Sequence, residues 1–221
     1  MQITSLDLDL NLLGVGNSNS VRAEGLHAST IYNDLYKHLE PKRFTGGTPA
    51  PLLLETGLIL ETALEEGLAR RFEQAGGEDI KRPGEFTYEG EFDGHPLTIH
   101  YNPDLFIFNG VFRVGEIKAT WLSSKIDHAW VDTPEHRVQH REDIQAAFLN
   151  PKFEKYYTQI KMYCRMLQTC YARLYVCFIA GDYSRPYKSQ LVGVDLAFTQ
   201  DELDQEWAML MYHGIAKGLI V

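Results

Sequence analysis

Phe112-Arg113-Val114-Gly115-Glu116-Ile117-Lys118-Ala119 is the stretch that decides the fold. Side chains alternate faces along a β-strand, so Glu116 and Lys118 share one face and Ile117 points to the other. Two charged groups on one face, flanked there by Val114 and Thr120, mark a polar pocket cut into a sheet. Upstream, Asp104 follows Asn102-Pro103 at the end of an apolar strand. Together they read P-D…E-x-K across a hairpin of Leu97–Ile107 and Val111–Trp121. Two carboxylates and a lysine gathered by one hairpin suffice to hold a divalent cation and orient a water against a phosphodiester.

Outward from the hairpin, Phe86–Phe92, Leu97–Ile107 and Val111–Trp121 read as three alternating strands, with Asp93-Gly94 and Asn109-Gly110 as their turns. Before them, residues 1–20 form a frayed or short-strand start. A helix runs from Ser20 to Leu39, stopped by Pro41, and a loop spans Gly46–Pro51. Leu52–Gln74 has helical periodicity, with Leu53, Leu60, Leu64, Leu68 and Phe72 as its stripe and Gly76-Gly77 as its end. After the hairpin, residues 122–150 are charged and irregular, carry His128, His136 and His140, and read as a surface excursion. His136 and His140 have no evident third ligand, so this region reads as a loop rather than a zinc site. Phe153–Gln168 is then a helix, Ala172–Ala180 a buried strand and Gln190–Leu196 another strand. Thr199-Gln200-Asp201-Glu202 is a capping box opening a last helix towards Tyr212. The expected order is α-α-β-β-β-α-β-β-α in one domain over 1–221, with an insertion near 122–150.

At 221 residues the chain can bury a full hydrophobic core. No apolar run reaches the roughly 18 residues that span a bilayer, and no basic segment leads an apolar one at the N-terminus, so the expectation is a cytoplasmic protein away from membranes. Cys164, Cys170 and Cys177 are an odd set without paired spacing and read as buried thiols, too few for an iron–sulfur cluster. The net charge of −9 excludes a non-specific coat on nucleic acid; such binding would be confined to a cleft and lean on metal ions.

Four matches, in order along the chain, carry a resemblance to a known family. They are Gly57-Leu58-Ile59-Leu60-Glu61 in a helix, Pro103-Asp104, Glu116-Ile117-Lys118, and Gln159-Ile160-Lys161-Met162-Tyr163 on the helix after the hairpin. The chain resembles the PD-(D/E)XK nuclease superfamily, and within it the RecB/Cas4-like and phage λ-exonuclease-like (YqaJ) branch, over roughly residues 20–200. The resemblance implies an α/β (α+β) fold with a restriction-endonuclease-like core, a central mixed β-sheet flanked by helices. It implies a Mg²⁺- or Mn²⁺-dependent DNA exonuclease of phage recombination or repair type, acting 5′ to 3′ on duplex ends. An endonuclease or flap nuclease with the same site, and an inactive DNA-binding or structural subunit, are the alternatives. DNA is the implied partner, with a single-strand annealing protein and a homotrimer as further expectations.

Asp104, Glu116 and the Ile117 carbonyl are hard oxygen donors of the kind Mg²⁺ prefers. Glu61 or, one turn on, Glu65 completes that set, Gly57 leaving room for Glu61 to approach. Lys118 orients the water or takes its proton, and beside a bound cation its pKa is expected to fall. Gln159 and Tyr163 are i and i+4 on one helix face; by resemblance they position Lys118 and the DNA backbone. Arg22-Ala23-Glu24-Gly25-Leu26-His27-Ala28-Ser29 resembles the λ-exonuclease segment whose arginine and serine bind a terminal 5′-phosphate, which assigns that role to Arg22 and Ser29. Trp121, Trp130, Tyr156 and Tyr157 flank the site in sequence as base-stacking or core aromatics. The cysteine tetrad of iron–sulfur relatives is missing.

Overall fold

Pro103 breaks what the sequence reads as one strand. Proline has no N–H to give a ladder, and at Asn102-Pro103-Asp104 the chain leaves one sheet and enters another. The computed structural model describes residues 23–41, 57, 59–64, 66–67, 70, 79–122, 153–180 and 190–221, the side chains of 120–122, 177–180 and 190–192 excepted. The expected start over residues 1–20, the Gly46–Pro51 loop and the excursion beyond residue 122, with Trp130 and the three histidines, lie outside the described residues.

The described elements are β1 (Leu26–His27), α1 (Ala28–Leu39), β2 (Asp79–Lys81), β3 (Phe86–Phe92), β4 (His95–Tyr101), β5 (Leu105–Phe108), β6 (Phe112–Leu122), α2 (Glu154–Met166), β7 (Tyr171–Ala180), β8 (Gln190–Ala197) and α3 (Gln200–Ala216). Residues 59–64 are helical as well. One sheet has the order β1-β4-β3, the other β2-β5-β6-β7-β8. The second is mixed: β6 runs antiparallel to β5 and parallel to β7. A parallel pair needs a crossover, and α2 lies on that connection. The result is the mixed α+β architecture, sheets flanked by helices, that the sequence pattern implies.

Four expectations need correction. The strand Leu97–Ile107 is two strands in two sheets. The Asn109-Gly110 turn is a three-residue loop that includes Val111, because Phe108 pairs with Phe112. The first helix starts at Ala28, since Gly25 sits at φ +132°, outside helical space, and Leu26-His27 pair in parallel with Ile99-His100. Strand β2, with Ile80 as its one apolar residue, was not anticipated. The Thr199 capping box is present: Thr199 Oγ1 accepts from the Glu202 N–H at 3.2 Å, and the Glu202 carboxylate accepts from the Thr199 N–H at 2.8 Å.

Both faces of β6 are buried. Val114 joins the larger core with Ile31 and Leu35 of α1, Ile99 of β4, Ile160 of α2, Leu174 of β7 and Leu210 of α3. Ile117 points the other way, into Ile80, Leu105, Ile107 and Tyr175, with Leu64 packed against them. The helices are tied by a polar network. Thr158 on α2 donates to Glu206 of α3 at 2.5 Å and lies 3.1 Å from the Tyr36 hydroxyl of α1; Lys161 donates to the same Glu206 at 3.1 Å. With its single hydroxyl proton given to Glu206, Thr158 accepts from Tyr36. His213 of α3 adds a contact to Asp34 of α1 at 2.9 Å.

Gly115 opposes Leu105, and a Cβ at Gly115 would stand 2.8 Å from the Leu105 Cβ. That atom is fixed to the β5 backbone and cannot swing aside. Gly115→Ala is expected to destabilise the protein by about 1–3 kcal/mol, as overpacking does, measurable by urea unfolding. Cys164 is buried in α2 and burial pushes its thiol up to about 12. Thiolate is the reactive form, so iodoacetamide at pH 8 should leave Cys164 unlabelled in the native protein and label it in denaturant, read by peptide mass spectrometry.

Candidate active site

Strand period, one broken strand and one helix face bring the site together. Asp104 lies just ahead of β5, where the chain has turned after Pro103, and its Oδ2 accepts from the Ile117 N–H at 2.7 Å. The β5–β6 ladder runs only to Leu105 and Gly115, so the Asp104 carboxylate takes over from the backbone ladder there. That bond places Asp104 beside Glu116, whose side chain is 0% exposed. Lys118, two residues on and on the same face, forms an ion pair with Glu116 Oε1 and is 17% exposed. From α2, Gln159 donates to the same Oε1 at 2.5 Å and to the Tyr163 hydroxyl at 3.2 Å. Gln159 and Tyr163 are buried, one turn apart as their spacing predicts.

Glu61 enters from the helical residues 59–64. Its carboxylate accepts from the Ala119 N–H and feels both Lys118 and Asp104. Glu65 lies outside the described residues. Among the described residues, a Cβ built at Gly57 would meet nothing within 4 Å. One turn beyond Glu61, Leu64 packs on the Ile117 cluster and anchors the segment.

Three carboxylates in one enclosed pocket are costly. Burial raises the pKa of Glu116, with Asp104 adding to the rise and Lys118 opposing it. Burial likewise raises Asp104 and Glu61, again opposed by Lys118. Burial would lower Lys118, but Glu116, Asp104 and Glu61 together hold it well above the ordinary lysine range. The expected fall of the lysine pKa is for a lysine beside a bound cation; without one, the ammonium is the charge the carboxylates share. Tyr163 is also raised, by burial and then by Glu116, and stays a neutral hydroxyl.

Glu116 Oε2 is buried with no hydrogen-bond partner. A buried carboxylate oxygen left unsatisfied is expensive, and it marks where an additional donor or cation fits. Among the described residues no three His, Cys, Asp or Glu side chains are grouped so that together they could hold a metal ion. Mg²⁺ does not require three, because it is commonly held by one or two carboxylates with water and phosphate in the remaining positions. Asp104 and Glu116 match that requirement.

The structure places the other anticipated residues less centrally. Ile117 has its side chain on the far face and its N–H on Asp104. Ser29 is half-buried in the first turn of α1, past the N-cap His27. Arg22 lies outside the described residues. Tyr156 has its ring 5.8 Å below the Lys118 ammonium and packs edge-on against Phe153.

The chain matches no family model and no curated protein sequence. Among solved structures it is similar to the crystal structure of SSO0001, at 15% identity and TM-score 0.50, over 90% of this chain and 81% of that one. It also superposes on an alkaline exonuclease (LHK-Exo) from Laribacter hongkongensis at 15% identity and TM-score 0.46, over 87% of this chain and 89% of that one. The same exonuclease in complex with dAMP gives TM-score 0.45. At 15% identity the likeness to SSO0001 is one of fold. Among the described residues no helix is long and apolar enough to cross a membrane.

Removing Lys118 would leave the carboxylates without their shared cation. Lys118→Met is expected to cost about 3–5 kcal/mol in EDTA, as when one member of a buried pair is deleted. Denaturant unfolding of the variant against the wild type measures it.

Proposed function

We propose that the protein is a Mg²⁺- or Mn²⁺-dependent deoxyribonuclease that hydrolyses phosphodiester bonds at duplex DNA ends, working 5′ to 3′. The observation that carries this reading is the Asp104–Glu116–Lys118 cluster: two carboxylates fixed by strand and backbone, a lysine between them and open solvent, and an unsatisfied Glu116 oxygen. Asp104, Glu116 and the Ile117 carbonyl would hold the cation, with Glu61 at its edge. Bound there, the ion supplies Lewis acidity and neutralises charge on the phosphate.

The chain's own groups do the rest. Lys118 presents an ammonium with three donors, able to hold a water or a phosphoryl oxygen in line for attack. Its partial exposure faces it to substrate while Glu116 stays dry. Gln159, by donating to Glu116, fixes the carboxylate rotamer, and the neutral Tyr163 hydroxyl fixes Gln159. By resemblance, Arg22 and Ser29 take the terminal 5′-phosphate.

With Mg²⁺ the wild type should shorten linear duplex and spare a closed circle; nicking of the circle would replace the exonuclease reading with an endonuclease. EDTA should abolish cleavage. Lys118→Ala should reduce kcat at least 10³-fold, an expected loss of about 4 kcal/mol in transition-state stabilisation, while DNA binding is retained. A duplex lacking its 5′-phosphate should be the poorer substrate.

A further inference from the structure

Thr158 sits buried in α2, where a β-branched hydroxyl residue is a modest helix former and its polar group is costly without partners. Both printed partners come from other helices. The hydroxyl donates to Glu206 Oε1 of α3 at 2.5 Å and meets the Tyr36 hydroxyl of α1 at 3.1 Å. Lys161, one turn along α2, donates to the other oxygen, Glu206 Oε2, at 3.1 Å. The Glu206 side chain is 13% exposed, so α2 holds a largely shielded carboxylate at two points. Hydrogen bonds to an ionised acceptor are the stronger kind.

The residue after Thr158 is Gln159, whose carboxamide donates to Glu116 Oε1 at 2.5 Å. Lys118 shares that oxygen, while Oε2 has no hydrogen-bond partner. How Glu116 presents Oε2 to the pocket therefore depends on the grip of Gln159, and the Thr158 clasp lies one residue from that grip. The Arg165–Asp204 pair, at 2.6 Å, joins the same two helices at a more exposed place, two turns from Thr158. It ties α2 to α3 away from Gln159 and serves as the internal comparison.

We propose that Thr158 and Glu206 are positioning residues for the reaction: α3 sets the Gln159–Glu116 contact through the Thr158 hydroxyl. Neither touches substrate, and the inference rests on the nuclease reading above.

The test compares the wild type with Thr158→Val, Thr158→Ser, Glu206→Gln, Asp204→Asn, Gln159→Leu and the Thr158→Val/Gln159→Leu double variant. KM and kcat are measured with Mg²⁺ on linear duplex, and the Gln159 side-chain amide is followed by ¹⁵N NMR, assigned by its loss in Gln159→Leu. Thr158→Val keeps the shape and loses the donor. It should lower kcat about 10–100-fold, leave KM within about twofold and move the Gln159 amide towards the position of an exposed glutamine. Thr158→Ser should restore both, and Asp204→Asn should change neither. The double variant should be no slower than Gln159→Leu alone, since the two residues act through one contact. Glu206→Gln, left with one carbonyl for two donors, should fall between wild type and Thr158→Val, and it decides by the same criteria if Thr158→Val does not fold. An unmoved amide and kcat in Thr158→Val, additive losses in the double variant, or an equal loss in Asp204→Asn overturns the positioning role while the nuclease reading stands. If the wild type cleaves nothing, the nuclease reading falls, and the amide resonance still decides whether Thr158 sets the contact.

Discussion

The Ile117 N–H, held by the Asp104 carboxylate at 2.7 Å, ties the point where the chain changes sheets to the strand that carries Glu116 and Lys118. Asp104 belongs to a joint whose course is set by Pro103; the next residue, Leu105, already pairs with Gly115 of β6, and the bond carries that tie on to the carboxylate. With it, a carboxylate from one sheet crossover stands beside a carboxylate from a central strand. Burial of the pair, with Asp104 adding to the rise at Glu116, lifts the carboxylate pKa values, a penalty that a nearby cation opposes. Lys118 takes that role in the chain's own structure; a divalent ion would share it.

The sheet face was legible because a two-residue period places Glu116 and Lys118 together whatever strand pairs with theirs. The i, i+4 spacing of Gln159 and Tyr163 and the Thr199 capping box were legible for the same reason: each is a local rule. The division of 97–107 was not. Its apolar alternation runs on both sides of Pro103, and alternation says nothing about which sheet each half joins. Strand β2 offers a single apolar residue, Ile80, too little for a period. Glu61 was named on spacing and on Gly57, yet what brings it in is the Ala119 N–H and the anchorage of Leu64, both tertiary.

On the nuclease reading, a polyanionic substrate has to approach a chain of net charge −9. A net charge of −9 spread over the surface repels DNA at long range, so attraction must come from a small region close at hand. On that reading the partly exposed Lys118 is one such cation, and the carboxylates beside it would become attractive to phosphate once a divalent cation is shared. Affinity for substrate and for metal would then rise together, each ligand lowering the electrostatic cost of the other.

The Tyr36–Thr158–Glu206–Lys161 network fixes α2 in rotation as well as position. Thr158 immediately precedes Gln159, and its hydroxyl is committed on both sides, to α1 and to α3. A slip of α2 by one residue would turn Gln159 by about 100°, away from Glu116. The network therefore works as an indexing pin: the helix has one angular setting in which both its polar clasp and its contact to the carboxylate are made.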